Sequence, residues 1–239
     1  MRPQYLAAAA MTGAAALAIA GFTALGSIFE YPQILQESTG HILESYRAHQ
    51  GAVMAWFGVL AVGAALLFPM AVGLSRMTAH RVSRRAIVTV GAAAAAVQAV
   101  GLSRWFLLVP GISRDATDPT RQAAAHRRFE TLHLWLGTIL GETVGYALTA
   151  TLTVLAVRAV TRHVSPRWTS WLGYASAALV ATGVLVPLGV HAATLTNFAG
   201  YVAWSLWLLA TAAVLLRRPT VASVPAPEPS LRESSLTSG

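Results

Sequence analysis

GAVMAWFGVLAVGAALLFPMAVGL, residues Gly51 to Leu74, runs for 24 positions without one charged side chain. A helix needs about 20 apolar residues to cross a hydrocarbon core of roughly 30 Å, so this stretch is long enough to span a bilayer by itself. A strand crossing the same core would alternate apolar and polar side chains, and here the apolar run is continuous. Five more stretches read the same way: Tyr5 to Ser27, Ala86 to Val109, Thr131 to Val157, Thr169 to Val190 and Phe198 to Leu216. The sequence therefore predicts an all-α protein whose residues 1–218 form a six-transmembrane-helix up-and-down bundle joined by short loops. Residues 219–239, with Pro219, Pro225, Pro227, Pro229 and several serines, predict a disordered cytoplasmic tail.

Composition agrees with that class. Of the 239 residues 55% are hydrophobic and only 11% charged, too little charge for an ordinary soluble domain. The net charge of +8 comes entirely from arginine on the basic side. Because those arginines flank the apolar runs, they read as an orientation signal and not as a nucleic-acid surface. No cysteine is present, which excludes disulfides, thiolate nucleophiles and cysteine metal sites. The first run is read as a retained helix, since its apolar length exceeds a secretory signal core and no small-x-small cleavage site follows it.

Arginine asymmetry predicts a plasma-membrane protein with both termini in the cytoplasm. Arg2, Arg76, Arg81, Arg84, Arg85, Arg158, Arg162, Arg167, Arg217, Arg218 and Arg232 then lie inside, against Arg47, Arg114, Arg121, Arg127 and Arg128 outside. In the first outer segment, Phe29 to Gln50, Pro32 can open a short helix, and Ile34, Leu35, Ile42, Leu43 and Tyr46 recur at helical spacing. An outer interfacial helix is expected there. Within the second, Pro110 to Glu130, the alanines 123 to 125 favour a helix that prolongs the fourth span.

Polar residues at membrane depth need an explanation. Glu142 lies eleven residues past Thr131, about 16 Å into the core at 1.5 Å per residue. A carboxyl group there holds its proton or finds a cation. It belongs to a stripe of Thr138, Glu142, Tyr146, Thr149 and Thr153, spaced to share one helix face that must turn into the bundle. Gln98, on the antiparallel third span, reaches the same depth, where the two side chains can share a hydrogen bond. Arg104 sits about 7.5 Å below the outer boundary, able to rise to Glu130 and His133 or descend toward Glu142. Gly137, Gly141 and Gly145 recur every four residues, a face on which another helix backbone packs closely or a ligand finds room. The whole polar set is either an interhelical clamp that fixes register or a functional site.

Metal is not expected. Glu130 and His133 are one turn apart, as are Glu37, His41 and Glu44, but a carboxylate di-iron bundle needs two Glu-x-x-His pairs and this chain has one. His133 and Glu142 stand nine residues apart, near 180° around a straight helix, so one ion cannot bridge them. Five histidines, His41, His49, His126, His133 and His191, fall on the outer side, and His80 and His163 on the inner. Trp105, Trp135, Trp168 and Trp171 sit near span boundaries and read as interface anchors, with Trp204 and Trp207 deeper. Pro69 and Pro187 predict kinks. No phosphate loop, nucleophile elbow or haem-ligating histidine pair occurs, so no cofactor is expected.

Several short segments stand together: Tyr31-Pro32 with Ile34-Leu35; Arg104-Trp105 with Val109-Pro110; His133, Gly137, Gly141-Glu142 and Gly145-Tyr146; Gly200-Tyr201, Trp204-Ser205 and Trp207. In these the chain resembles a family of bacterial multi-pass membrane proteins catalogued as a domain of unknown function, over about Phe29 to Leu216. The resemblance implies the six-span fold and carries no assigned chemistry. Family members often place a proline where this chain has Phe106.

The expected function is binding of a small lipophilic ligand, or of a membrane partner, in an outward-facing polar cavity formed by Arg104, Gln98, Glu130, His133 and Tyr146 around Glu142. Membrane lipid is the expected partner, with a helix-mediated oligomer as a further possibility and no nucleic acid. The rival is an intramembrane isomerase or cyclase of an isoprenoid-like substrate, in which Glu142 supplies the proton and aromatic rings stabilise a carbocation. A transporter fits less well, since the chain shows no internal repeat.

Overall fold

Continuous apolar runs with few internal charges leave the backbone only one way to satisfy its amides in lipid, and the chain takes it. A computed structural model describes residues 2–78, 80–161, 166–190 and 192–217. Arg162, His163, His191, Arg218, Arg232 and the tail expected over 219–239 lie outside the described residues. Among the described residues six helices are long and apolar enough to cross a membrane, and no strand occurs. This is a multi-pass membrane protein.

The first span is α1, Pro3–Phe29. A 3-10 turn over Gln33–Gln36 and α2, Thr39–Ala48, follow it. The second span joins α3, Gln50–Ala65, to α4, Leu67–Ser75, and the third joins α5, Arg81–Leu107, to α6, Val109–Asp115. The fourth, Gln122–Val160, is built from α7, Gln122–Leu132, a π-helical segment over His133–Val144, and α8, Gly145–Thr161. The fifth is α9, Arg167–Ala181, prolonged by a 3-10 segment over Thr182–Leu188, and the sixth is α10, Ala192–Arg217. Each span packs against the next in sequence, and α10 closes on α1.

Prolines explain the interruptions of the second and third spans. Pro69 has no amide hydrogen to give the carbonyl four residues back, Ala65, where α3 ends. Pro110 likewise leaves Phe106 without its helical donor, and α5 gives way to α6 at Leu108. The freed carbonyl of Trp105 next to it is taken by the Tyr46 hydroxyl, which donates across 2.8 Å. Helix α2 is therefore tied to the third span. Ser38 caps α2 by accepting from the His41 amide.

Two cores fill the bundle. Toward the interhelical loops, Phe29, Tyr46, Phe57, Trp105 and Phe129 pack with Ile34, Ile42, Leu43 and Val53. The apolar face of α2 thus points into the bundle end. Toward the chain termini, alanines 7, 8, 14, 15, 71, 94 and 156 meet Leu67, Leu74, Leu152 and Leu208. Trp105, read from sequence as an interface anchor, is fully buried at the centre of the aromatic core, whereas Trp135, Trp168 and Trp171 are exposed as expected of such anchors.

Candidate functional site

Where the two cores meet, the third and fourth spans come together through glycine. A Cβ on Gly101 would stand 2.9 Å from the Gly141 Cα and 3.0 Å from the Leu136 carbonyl oxygen. Gly145 faces the Gln98 side chain. The glycine face is thus occupied by α5 of the same chain, with backbones at a separation no other residue permits.

Gly137 has a different neighbour. A Cβ there would stand 2.9 Å from the Arg104 guanidinium and 3.1 Å from His133 Nδ1. Arg104 fills the notch that glycine leaves and is only 4% exposed. Its guanidinium donates to the Gly101 carbonyl and lies 5.2 Å from the Trp105 ring centre. Among the described residues no carboxylate reaches it at ion-pair distance, and the pairs that do form belong to Arg121 and Arg128. Glu142, Tyr31 and Tyr146 lie within electrostatic reach of it. His133 Nδ1 is enclosed without a hydrogen-bond partner among the described residues, its ring stacked on Phe129 at 5.9 Å.

The winding of the fourth span sets this arrangement. Bonding from each residue to the fifth along widens the turn, and the Thr143 hydroxyl follows suit by donating to the Thr138 carbonyl five residues back. On such a helix neighbours on one face alternate at four and five residues, so His133, Gly137 and Glu142 share a face. The α-helical expectation set His133 opposite Glu142, and the π winding corrects it. Even so, among the described residues no three histidine or acidic side chains gather as a ligand set for a metal ion.

Two sequence expectations, those for Gln98 and Glu130, resolve differently in space. Gln98, expected beside Glu142, donates to the Thr149 hydroxyl across 2.7 Å. Glu130, offered as an Arg104 partner, is exposed and accepts from the Thr39 hydroxyl at 2.9 Å, so it pins α2 to α7 instead. Tyr146 lies against Gly183 and 5.7 Å from the Tyr201 ring. The lower stripe continues as drawn from sequence: Thr149 and Thr153 are buried, and Thr153 accepts from the Trp204 indole at 2.9 Å. Asn197 donates to the Val180 carbonyl, left free where α9 tightens into its 3-10 end.

Two tyrosines join the site that sequence did not mark. Tyr31, just beyond α1, reaches Glu142 and Arg104 electrostatically, and burial pushes its hydroxyl up to about 12 with Glu142 adding to the rise. It stays a neutral donor at any physiological pH. Tyr201 brings its hydroxyl against Thr149 and its ring to 5.9 Å from Trp204. The result is a band of polar groups enclosed by rings, with one guanidinium, one carboxyl group and one imidazole at its loop end.

A family model described as a domain of unknown function, DUF4386, matches residues 6–212. That match includes α1 as well as the segments whose likeness was visible in the sequence. No curated protein and no solved structure matches the chain.

Proposed function

The chain belongs to the DUF4386 family, and on that premise we propose that it is a non-enzymatic membrane protein that binds a small lipophilic molecule through Arg104, His133, Glu142 and their tyrosine neighbours. The observation that carries this reading is the Arg104 guanidinium, buried yet without a carboxylate at ion-pair distance among the described residues. A desolvated guanidinium is costly unless its donors are met. A polar headgroup entering beside His133 would meet them while the tail runs among rings and aliphatic side chains. Glu142 lies near enough to oppose a second negative charge and so to favour ligands with a single acidic or hydrogen-bonding head.

In this reading the six spans alternate up and down in a bacterial plasma membrane, with both termini cytoplasmic. The arginines at the terminal end favour that orientation. Helix α2 and the Asp115–Arg121 loop then face outward, and a ligand would enter the site from that side.

The rings of Tyr146, Tyr201 and Trp204 favour a second reading. Aromatic faces stabilise cationic carbon, so an acid-catalysed isomerase or cyclase using Glu142 fits the same band. One set of experiments separates the two. Solvent extraction of the purified protein, followed by mass spectrometry, should recover a lipophile from the native chain and from Glu142→Gln. Arg104→Gln should lose it, and Arg104→Lys should keep only part, because an ammonium lacks the planar fork. Recovery unchanged in Arg104→Gln sinks the binding proposal. A product formed by the native protein and absent with Glu142→Gln establishes the enzyme in its place.

A further inference from the structure

On the flank of the third and fourth spans a groove of about 660 Å³ lies open. Leu108, Ile112, Leu132, Leu136 and Trp135 supply its apolar lining. It sits where α5 gives way to α6 and α7 gives way to π winding. Leu108 is 46% exposed and Trp135 59%. In a bilayer such a trough is wetted by acyl chains, and an exposed tryptophan marks the level of the headgroups.

Charge decides which lipid. Arg127 and Arg128 stand at the groove margin. Arg128 is 3.4 Å from Asp115, which Arg121 also approaches at 3.6 Å, and Arg121 further meets Asp118. Arg127 makes no ion pair among the described residues. From 114 to 136 the chain carries Arg114, Arg121, Arg127 and Arg128 against Asp115, Asp118 and Glu130, four positive charges to three negative, a surplus of +1. Leu132 and Leu136 floor this groove from positions next to His133 and Gly137, which face Arg104 inside. The groove and the interior site are therefore separate places on the same stretch of helix.

We infer that this groove is a binding site for an anionic phospholipid, one acyl chain lying along Leu108, Leu132 and Leu136 beside Trp135 and the phosphate held by Arg127 with Arg128. A guanidinium fork matches two phosphate oxygens. A zwitterionic lipid offers the same phosphate but also an ammonium group, which the surplus positive charge disfavours.

Native mass spectrometry of the full chain, titrated with phosphatidylglycerol or with phosphatidylcholine, tests the inference. The native protein should retain phosphatidylglycerol at least about fivefold better, the difference expected from one membrane-surface arginine. Arg127→Gln should remove most of that preference while leaving phosphatidylcholine retention and the melting temperature unchanged. Ala124→Trp, which fills the groove from its rim, should lower retention of both lipids. Equal retention of the two lipids by the native chain, or a preference that survives Arg127→Gln, overturns the proposal. Neither result bears on the interior ligand, whose recovery depends on Arg104.

Discussion

The loop end of the bundle is filled with rings, whereas the terminal end, though its core also buries Trp204 and Trp207, is built mainly on small residues, and the two cohere by different means. Trp105 stacks on Phe57 at 4.8 Å and takes the edge of Phe29 at 5.3 Å, so this end gains from the area of large side chains. At the other end Gly73 lies against the Ala7 backbone and Gly91 against Ala71, so cohesion there comes from helices lying close together. In lipid, where apolar burial alone does not drive helices together, the second method suits the middle and ends of spans. The first suits a region where α2 and α7 lie over the bundle. Truncation should hurt the ring-filled end and enlargement the small-residue end.

The sharpest break of that contrast is Trp105→Ala. Removing a fully buried indole should cost about 3–5 kcal/mol, read as a fall in the unfolding midpoint in detergent; a loss below about 1 kcal/mol would show that the aromatic core is not what holds α2 down. Next comes enlargement between α9 and α10. A Cβ on Gly200 would stand 2.6 Å from the Val180 amide nitrogen, backbone that cannot yield, so Gly200→Ala should cost about 1–3 kcal/mol. Gly51→Ala sharpens the same test by reversing its sign. Among the described residues nothing beyond its own helix lies within 4 Å of the added methyl, and the helix should gain up to about 1 kcal/mol.

Smaller still is Tyr46→Phe, which leaves packing intact but takes the donor from the Trp105 carbonyl. A loss of about 0.5–1.5 kcal/mol is expected, with α2 amides exchanging faster than those of α5. The smallest effect lies beyond the aromatic core. Hydrogen bonds from the Thr120 hydroxyl and amide hold the Asp118 carboxyl below its ordinary value of 3.8. Since the folded value is the lower one, this contribution is fully present above the ordinary value and disappears as pH falls through the folded value. Asp118→Asn should flatten the acid limb of the melting profile slightly and alter nothing near neutrality.

Hydropathy made the six spans legible because each had to match a bilayer by length, and every expected run falls within or beside an observed helix. Arg104 and Glu142 stood out for the same reason, as charges where solvent is absent. What stayed hidden was rotation. Spacing arguments assume 3.6 residues per turn, and nothing in HLWLGTILGETV, residues 133–144, announces wider winding, so His133 was set on the wrong face from Glu142. Partner choice was hidden too. Gln98, expected level with Glu142, lies instead against Gly145 and Thr149, one to two turns further along the fourth span, a register that only the three-dimensional crossing decides. Tyr31 lies outside any span in sequence and enters the site only because the chain turns back at the end of α1.

The wide winding also sets what this helix presents. Nine residues make two turns between His133 and Glu142, whereas ordinary α winding would carry one of them about half a turn from the other. The fourth span is a screw thread with two pitches, and its wider pitch is what brings imidazole, the Gly137 notch and carboxyl to one side, toward Arg104.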